Sequence, residues 1–190
     1  MDKMIVKDLM IPLEEYATVA SEATLKEAMM ELKKAQAEFA INNQSSYKHR
    51  ALLVYDNRHG QIIGKLSQLD VLKALEPKYS GITDTGTLGR IATSGLNLRF
   101  LQSMLEKEAL FTQSFSSLCK RAAAMKVKDC MYIPVEGEFI RENDSMRMAT
   151  HQLVMGNHHS LLVINDQRKI NGILRLVDVF QTICDKINAL

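Results

Sequence analysis

Residue types that could do chemistry converge on Gly64-Lys65-Leu66-Ser67-Gln68-Leu69-Asp70, with His49-Arg50 ahead of the preceding apolar run. Gln61 to Leu66 reads as a strand. Val71, Leu72 and Leu75 then share one helix face, with Pro77 just past the end, so Ser67 stands where strand becomes helix. There its hydroxyl and the helix's free amides face one space and can bind a phosphate. Asp70, a turn later, can accept two hydrogen bonds from a ribose diol, and the Arg50 guanidinium suits a phosphate fork. The set is what a nucleotide needs. Ser67 and Asp70 can equally do no more than cap the helix, and both readings stay open.

Other signals for chemistry are weaker. A phosphate loop closing on Gly64-Lys65 would need glycine at His59 and a hydroxyl at Leu66. His151, His158 and His159 have no cysteine near them, and the first two fall across a helix end, which points to a surface or ligand-lining role over a metal site. Cys130 and Cys184 sit among apolar neighbours, where an inert buried thiol is the usual outcome. Glu14-Glu15 and Glu136 with Glu138 occupy turns and read as exposed charges. The eleven methionines favour adaptable packing surfaces. No nucleophile and base stand together, so a hydrolase or transferase is disfavoured.

Composition sets the bounds on function. Lys plus Arg number 24 against 22 Asp plus Glu, too small an excess to drive binding to nucleic acid. Three cysteines, far apart and without a CxxC pair, fit reduced thiols and a cytoplasmic setting. No apolar run approaches the about 18 residues of a membrane span, nor the start a signal peptide, so neither membrane nor secretion is expected.

The elements that must position the site occur twice. Lys7-Asp8-Leu9-Met10 recurs as Lys128-Asp129-Cys130-Met131, and Thr24-Leu25 with Ala28 as Ser145-Met146 with Ala149, at an offset of 121. Leu52-Leu53-Val54 recurs as Leu161-Leu162-Val163 at 109, and Gly64 with Asp70 as Gly172 with Asp178 at 108. Each copy reads strand, helix, strand, strand, helix. In the first, Thr24 and Glu27 form a capping box before Leu25, Ala28, Met29, Leu32 and Ala35, which predicts a helix over 24–40. Ala51–Tyr55 and Gln61–Leu66 are strands around a turn. In the second, the strands are 138–141, 160–164 and 170–174, and the helices 145–155 and 176–187. The extra length of the first copy falls around 38–48.

One such copy buries too little surface to be comfortable alone, so the pair should pack through its sheets. The expected division is repeat 1 over 1–79, a glycine-rich loop plus helical linker over 80–126, and repeat 2 over 127–190. In the linker, 80–95 carries four of the nine glycines. Leu98, Leu101, Met104, Leu105, Phe111, Phe115, Leu118, Ala122 and Met125 form a helical stripe, which either packs on the chain's own core or serves a dimer interface.

These features resemble the tandem cystathionine-β-synthase (CBS) repeat family, or Bateman module. Its repeat ends in Gly-h-h-(Ser/Thr)-x-x-Asp, h being apolar, often places a basic residue before the second strand, and opens much like Lys-Asp-x-Met. Lys65 departs mildly from the apolar second position. The resemblance covers about 7–77 and 128–188. It implies an α/β fold of two repeats about a pseudo-twofold axis, dimerising into a disc.

By the same resemblance, Asp70 would hold ribose, Ser67 with His49 and Arg50 would meet phosphate, and Ile11 with Pro12 would flank adenine. Repeat 2 keeps Asp178 but carries Arg175 at the hydroxyl position. Arg175 would either reach a phosphate or fill the pocket and close it. Tyr132, Ile133, His158 and His159 would line that second pocket if open. The implied function is non-enzymatic: a regulatory module sensing AMP, ADP or ATP, with no required cofactor and no metal, and reporting to a separate effector protein. The alternative is a structural or interaction module with empty clefts.

Overall fold

A computed structural model describes residues 4–42, 50–76 and 113–189. The chain is an α/β protein of two small sheets, each backed by helices. In the first half, β2 (Thr18–Ala20), α1 (Leu25–Asn42), β3 (Ala51–Tyr55), β4 (Ile62–Ser67) and α2 (Gln68–Leu75) follow a short β1 (Ile11–Pro12). Next come α3 (Phe115–Ala124) and the single turn α4 (Val127–Cys130). The second half runs β5 (Phe139–Arg141), α5 (Met146–Met155), β6 (Ser160–Ile164), β7 (Ile170–Arg175) and α6 (Leu176–Asn188). The expected helix and strand order thus appears in both halves, with ends shifted by a residue or two.

Local sequence accounts for these elements. Thr24 and Glu27 form the capping box of α1: the Thr24 hydroxyl accepts from the Glu27 amide at 3.2 Å, and its own amide donates to the Glu27 carboxylate at 2.6 Å. Ser145 accepts from the Met148 amide at 3.3 Å and starts α5. In the turn between β3 and β4, Gly60 takes φ +65°, which its missing side chain permits.

The three-stranded sheet has the order β2-β3-β4, with β2 parallel and β4 antiparallel to β3. The four-stranded sheet is β1-β7-β6-β5. Strand alternation divides the core. Leu52 and Val54 point into the cluster under α1 and α2, and Leu161 and Val163 into the equivalent cluster of the second half. The residues between them, Leu53 and Leu162, meet with Tyr16 and Ile173 in a third cluster between the sheets. Both faces of β3 and β6 are buried, hence their unbroken apolar runs.

The opening segments are exchanged between the halves. Val6, fully buried, packs in the core of the second half, and its amide donates to the Asp144 carbonyl at 2.9 Å. Val127, its counterpart at offset 121, is buried in the core of the first half, its amide on the Ala23 carbonyl at 2.9 Å. Ile11 pairs with Ile173 and Pro12 with Gly172, so β1 adds an edge to the second sheet.

Where these crossings pass, only glycine fits. A Cβ on Gly172 would stand 2.6 Å from the Ile11 carbonyl oxygen, and one on Gly64 2.9 Å from that of Tyr132.

The end of the linker stripe packs on the chain's own core. Leu118 and Ala122 are buried, with α3 against α1 and α2. Phe115 at the start of α3 is instead exposed, and the helix stops before Met125, whose backbone is extended. Residues 80–95 and the stripe from Leu98 to Phe111 lie outside the described residues.

Candidate functional site

Ser67 ends β4 and caps α2, and its Oγ accepts from the Asp70 amide at 3.3 Å. The Asp70 Oδ2 takes two bonds in return, from the Ser67 amide at 2.9 Å and the Ser67 hydroxyl at 2.6 Å. Asp70 is buried, so a carboxylate is held at the strand-to-helix junction with one oxygen fixed and the other outside those bonds. Arg50 is exposed, and its carbonyl receives the Gln68 amide at 3.2 Å, which ties it to the same junction. His49 lies outside the described residues.

Strand alternation puts Lys65 on the same face of β4 as Ser67, opposite Leu66, which enters the helical core. The chain that covers Lys65 comes from the second half. The Lys65 amide donates to the Tyr132 carbonyl at 2.9 Å and the Tyr132 amide to the Lys65 carbonyl at 2.8 Å. The Lys65 ammonium also lies 5.0 Å from the centre of the Tyr132 ring. Tyr132 therefore belongs beside Ser67 and Asp70, and Ile11 and Pro12 lie against β7. The grouping expected from the sequence is exchanged, because each opening segment crosses to the other half.

Glu138 corrects a second expectation. It is 3% exposed, not a turn charge in water, although Glu14, Glu15 and Glu136 are exposed as expected. Its carboxylate receives the Lys65 ammonium at 2.6 Å and the Val135 amide at 3.2 Å. His158 Nδ1 stands 3.8 Å from the oxygen that meets Lys65. Burial pushes the Glu138 carboxyl up, but the bonds from Lys65 and Tyr132, the Lys65 charge and the Val135 amide together hold it below the ordinary glutamate value. The Tyr132 hydroxyl is pushed up to about 12 by burial, by its bond to Glu138 and by the charges of Glu138 and Asp70. Burial also pushes the Cys130 thiol up to about 11, which leaves little thiolate for chemistry.

In the second half Arg175 stands at the position equivalent to Ser67. Arg175, 6% exposed, forks onto Asp178, with Nε to Oδ2 and Nη2 to Oδ1 both at 2.6 Å. Arg175 thus spends its fork on Asp178, with one bond to each carboxylate oxygen. Tyr16, buried beside the pair, has its hydroxyl pushed up to about 12, chiefly by burial, with Arg175 lowering and Asp178 raising it. The His159 carbonyl accepts the Leu176 amide at 3.0 Å, the counterpart of the Arg50 bond, and its ring is exposed. His158 instead turns toward Glu138.

Sequence reasoning missed Lys65, Glu138 and Tyr16. The one local signal was Lys65, a charge at an apolar position of the repeat ending. Among the described residues, no three His, Cys, Asp or Glu side chains are grouped to hold a metal ion. No helix among them is long and apolar enough to cross a membrane.

Comparison with known proteins agrees with this architecture. Residues 6–77 match the CBS domain family model. No curated protein matches the sequence. Among solved structures, the chain is similar to a CBS domain-containing protein from Bacillus anthracis, at 19% identity over 97% of this chain and 95% of that one, with a TM-score of 0.61. It is also similar to the CBS-pair protein CBSX2 from Arabidopsis thaliana, at 17% identity over 97% and 96%, TM-score 0.58. A third similar structure is the CBS domain of a bacterial CNNM/CorC family Mg2+ transporter in complex with ATP, at 15% identity over 96% and 89%, TM-score 0.59. CBSX2 also has a structure in complex with AMP. Residues 6–77 thus match the CBS domain family model, and the chain as a whole shares the fold of solved tandem CBS pairs.

Proposed function

We propose that this chain is a regulatory module that binds one adenosine-containing nucleotide, AMP, ADP or ATP, at the Ser67–Asp70 junction and reports its occupancy to a separate effector protein. The observation that carries this reading is the contrast between two equivalent carboxylates. Both Asp178 oxygens accept from an arginine of its own chain, whereas the bonds to the Asp70 carboxylate among the described residues come from Ser67 and fall on one oxygen. A buried carboxylate with an oxygen outside its cap bonds suits a ribose diol. Arg50 at the same junction suits the phosphate, and Tyr132 with Ile133 offers apolar surface for a base. The AMP and ATP complexes of CBSX2 and of the Mg2+ transporter domain support nucleotide as the ligand class.

The chain also pairs with a second copy in this reading. Leu176, Phe180, Ile183 and Ile187 recur at spacings of four, three and four on α6 and are all exposed, an apolar stripe that a second copy would cover.

Thermal unfolding with AMP, ADP, ATP, S-adenosylmethionine and NAD tests the ligand. A compound at about 100 times its dissociation constant adds about 2.7 kcal/mol. An adenosine nucleotide raises the midpoint of the wild type but not of Asp70→Ala, each compared with its own ligand-free protein. No shift with any compound would favour the scaffold alternative.

A further inference from the structure

The two junctions where opening segments cross are equivalent in backbone and opposite in chemistry. At one, Ile11 lies on Ile173 within the apolar cluster between the sheets. At the other, Tyr132 lies on Lys65, and Lys65 is tied to the buried Glu138. Exchanging an apolar contact for a buried ion pair costs desolvation that the pair's attraction need not recover, so stability is a poor reason for it. The better attested return is a fixed register between the parts it joins.

What the pair fixes is the segment from Tyr132 to Val135. Its first residue is held by both backbone bonds to Lys65, with the Lys65 ammonium over its ring, and its last by the Val135 amide on Glu138. Between these anchors, Tyr132 is 36% and Ile133 66% exposed, an apolar edge kept open by polar fastenings. Lys65 and Ser67 share a face two residues apart, about 7 Å along the strand. That is a reach one nucleoside covers, with its sugar at Asp70 and its base at Tyr132.

We infer that Lys65 and Glu138 are positioning residues that determine specificity, setting Tyr132 and Ile133 at one height above β4 so that this cleft selects ligands carrying a flat aromatic base. The inference rests on the nucleotide reading of the Ser67–Asp70 site and assigns the part of that site which discriminates. The pair acts through Tyr132 and Ile133 and is not itself required to touch the ligand.

The experiment compares AMP with ribose 5-phosphate, which lacks the base, by calorimetric titration of the wild type, Lys65→Met, Glu138→Gln and the double variant Lys65→Met/Glu138→Met. Glu138→Gln keeps the shape of the side chain, and the double variant removes both charges together, so folding is retained in at least one of them. Amide hydrogen exchange at Lys65 and Tyr132 is read in parallel. The expected result is AMP binding weakened by about tenfold or more in each single variant, ribose 5-phosphate changed by less than about twofold, and faster exchange at both amides.

AMP affinity unchanged in both single variants, or equal losses for AMP and ribose 5-phosphate, would overturn the inference. So would unchanged exchange in Glu138→Gln, whatever the affinities. A wild type that binds neither compound overturns the nucleotide reading itself, an outcome distinct from failure of the inference alone, in which the wild type still binds AMP.

Discussion

Replacing Arg175 with serine gives the second cleft the residue that the first carries at Ser67. The change removes two charge-assisted bonds of 2.6 Å and leaves Asp178, whose side chain is 13% exposed, without its cation. Breaking a buried pair by deleting one partner costs about 3 to 5 kcal/mol, and the residual exposure of Asp178 favours the lower end. A serine that caps α6 as Ser67 caps α2 returns about 1 kcal/mol. The net loss is therefore about 2 to 3 kcal/mol, read as the shift in free energy of unfolding in urea. The same variant opens a second carboxylate to ribose. Calorimetric titration with AMP accordingly gives one nucleotide per wild-type chain and two per Arg175→Ser chain. A loss below about 1 kcal/mol, the range of an exposed pair, would refute the premise that the fork is buried and closing. Two nucleotides on the wild type would refute it as well.

Further outcomes follow from other parts of the structure. Gly172→Ala places a Cβ 2.6 Å from a backbone oxygen, which has nowhere to move without displacing β1, so urea denaturation shows a loss of about 1 to 3 kcal/mol. At high pH the hydroxyls of Tyr16 and Tyr132, both near 12 in the folded chain, keep protons that the unfolded chain loses near 10. Their contribution to stability is whole below pH 10 and declines as pH rises toward 12. Ultraviolet titration then shows these two ionising later in the native protein than in denaturant, and their simultaneous titration with the denatured ones would contradict the burial argument. Phe180→Glu with Ile187→Glu yields a monomer in sedimentation equilibrium where the wild type is a dimer; a wild type that is already monomeric removes the proposed role of the α6 stripe.

Much of the fold was legible because its signals are local. The Thr24–Glu27 capping box, the paired runs at 51–55 and 160–164, and Ser67 at the start of α2 each declare an element within a few residues. The offset of 121 declared two copies as well. What periodicity could not say was which half each opening segment packs against. Val6 and Val127 are equally apolar in either place, and the exchange is decided by backbone partners more than 100 residues away, such as Asp144 for Val6 and Ala23 for Val127. Sequence alone therefore groups Ile11 and Pro12 with Ser67, and Tyr132 with Asp178, whereas the backbone pairs Ile11 and Pro12 with β7 and Tyr132 with Lys65.

Glu138 was illegible for the same reason. Its neighbours Glu136 and Gly137 make an ordinary turn, and the cation that permits its burial is Lys65, 73 positions earlier. Only the charge at position 65, on a face that otherwise meets the opposite sheet, hinted that a partner must be waiting there. Arg175 stands out in the sequence at the hydroxyl position, but whether it reaches a phosphate or fills the pocket depends on side-chain geometry that sequence does not contain.

The most direct test of the account is a crystal structure of the protein grown with AMP. The account predicts the ribose diol on Asp70, the phosphate toward Ser67 and Arg50, the base beside Tyr132, and Arg175 still forked onto Asp178. A nucleotide seated on Asp178 with Arg175 swung away, or no nucleotide in either cleft, would contradict it.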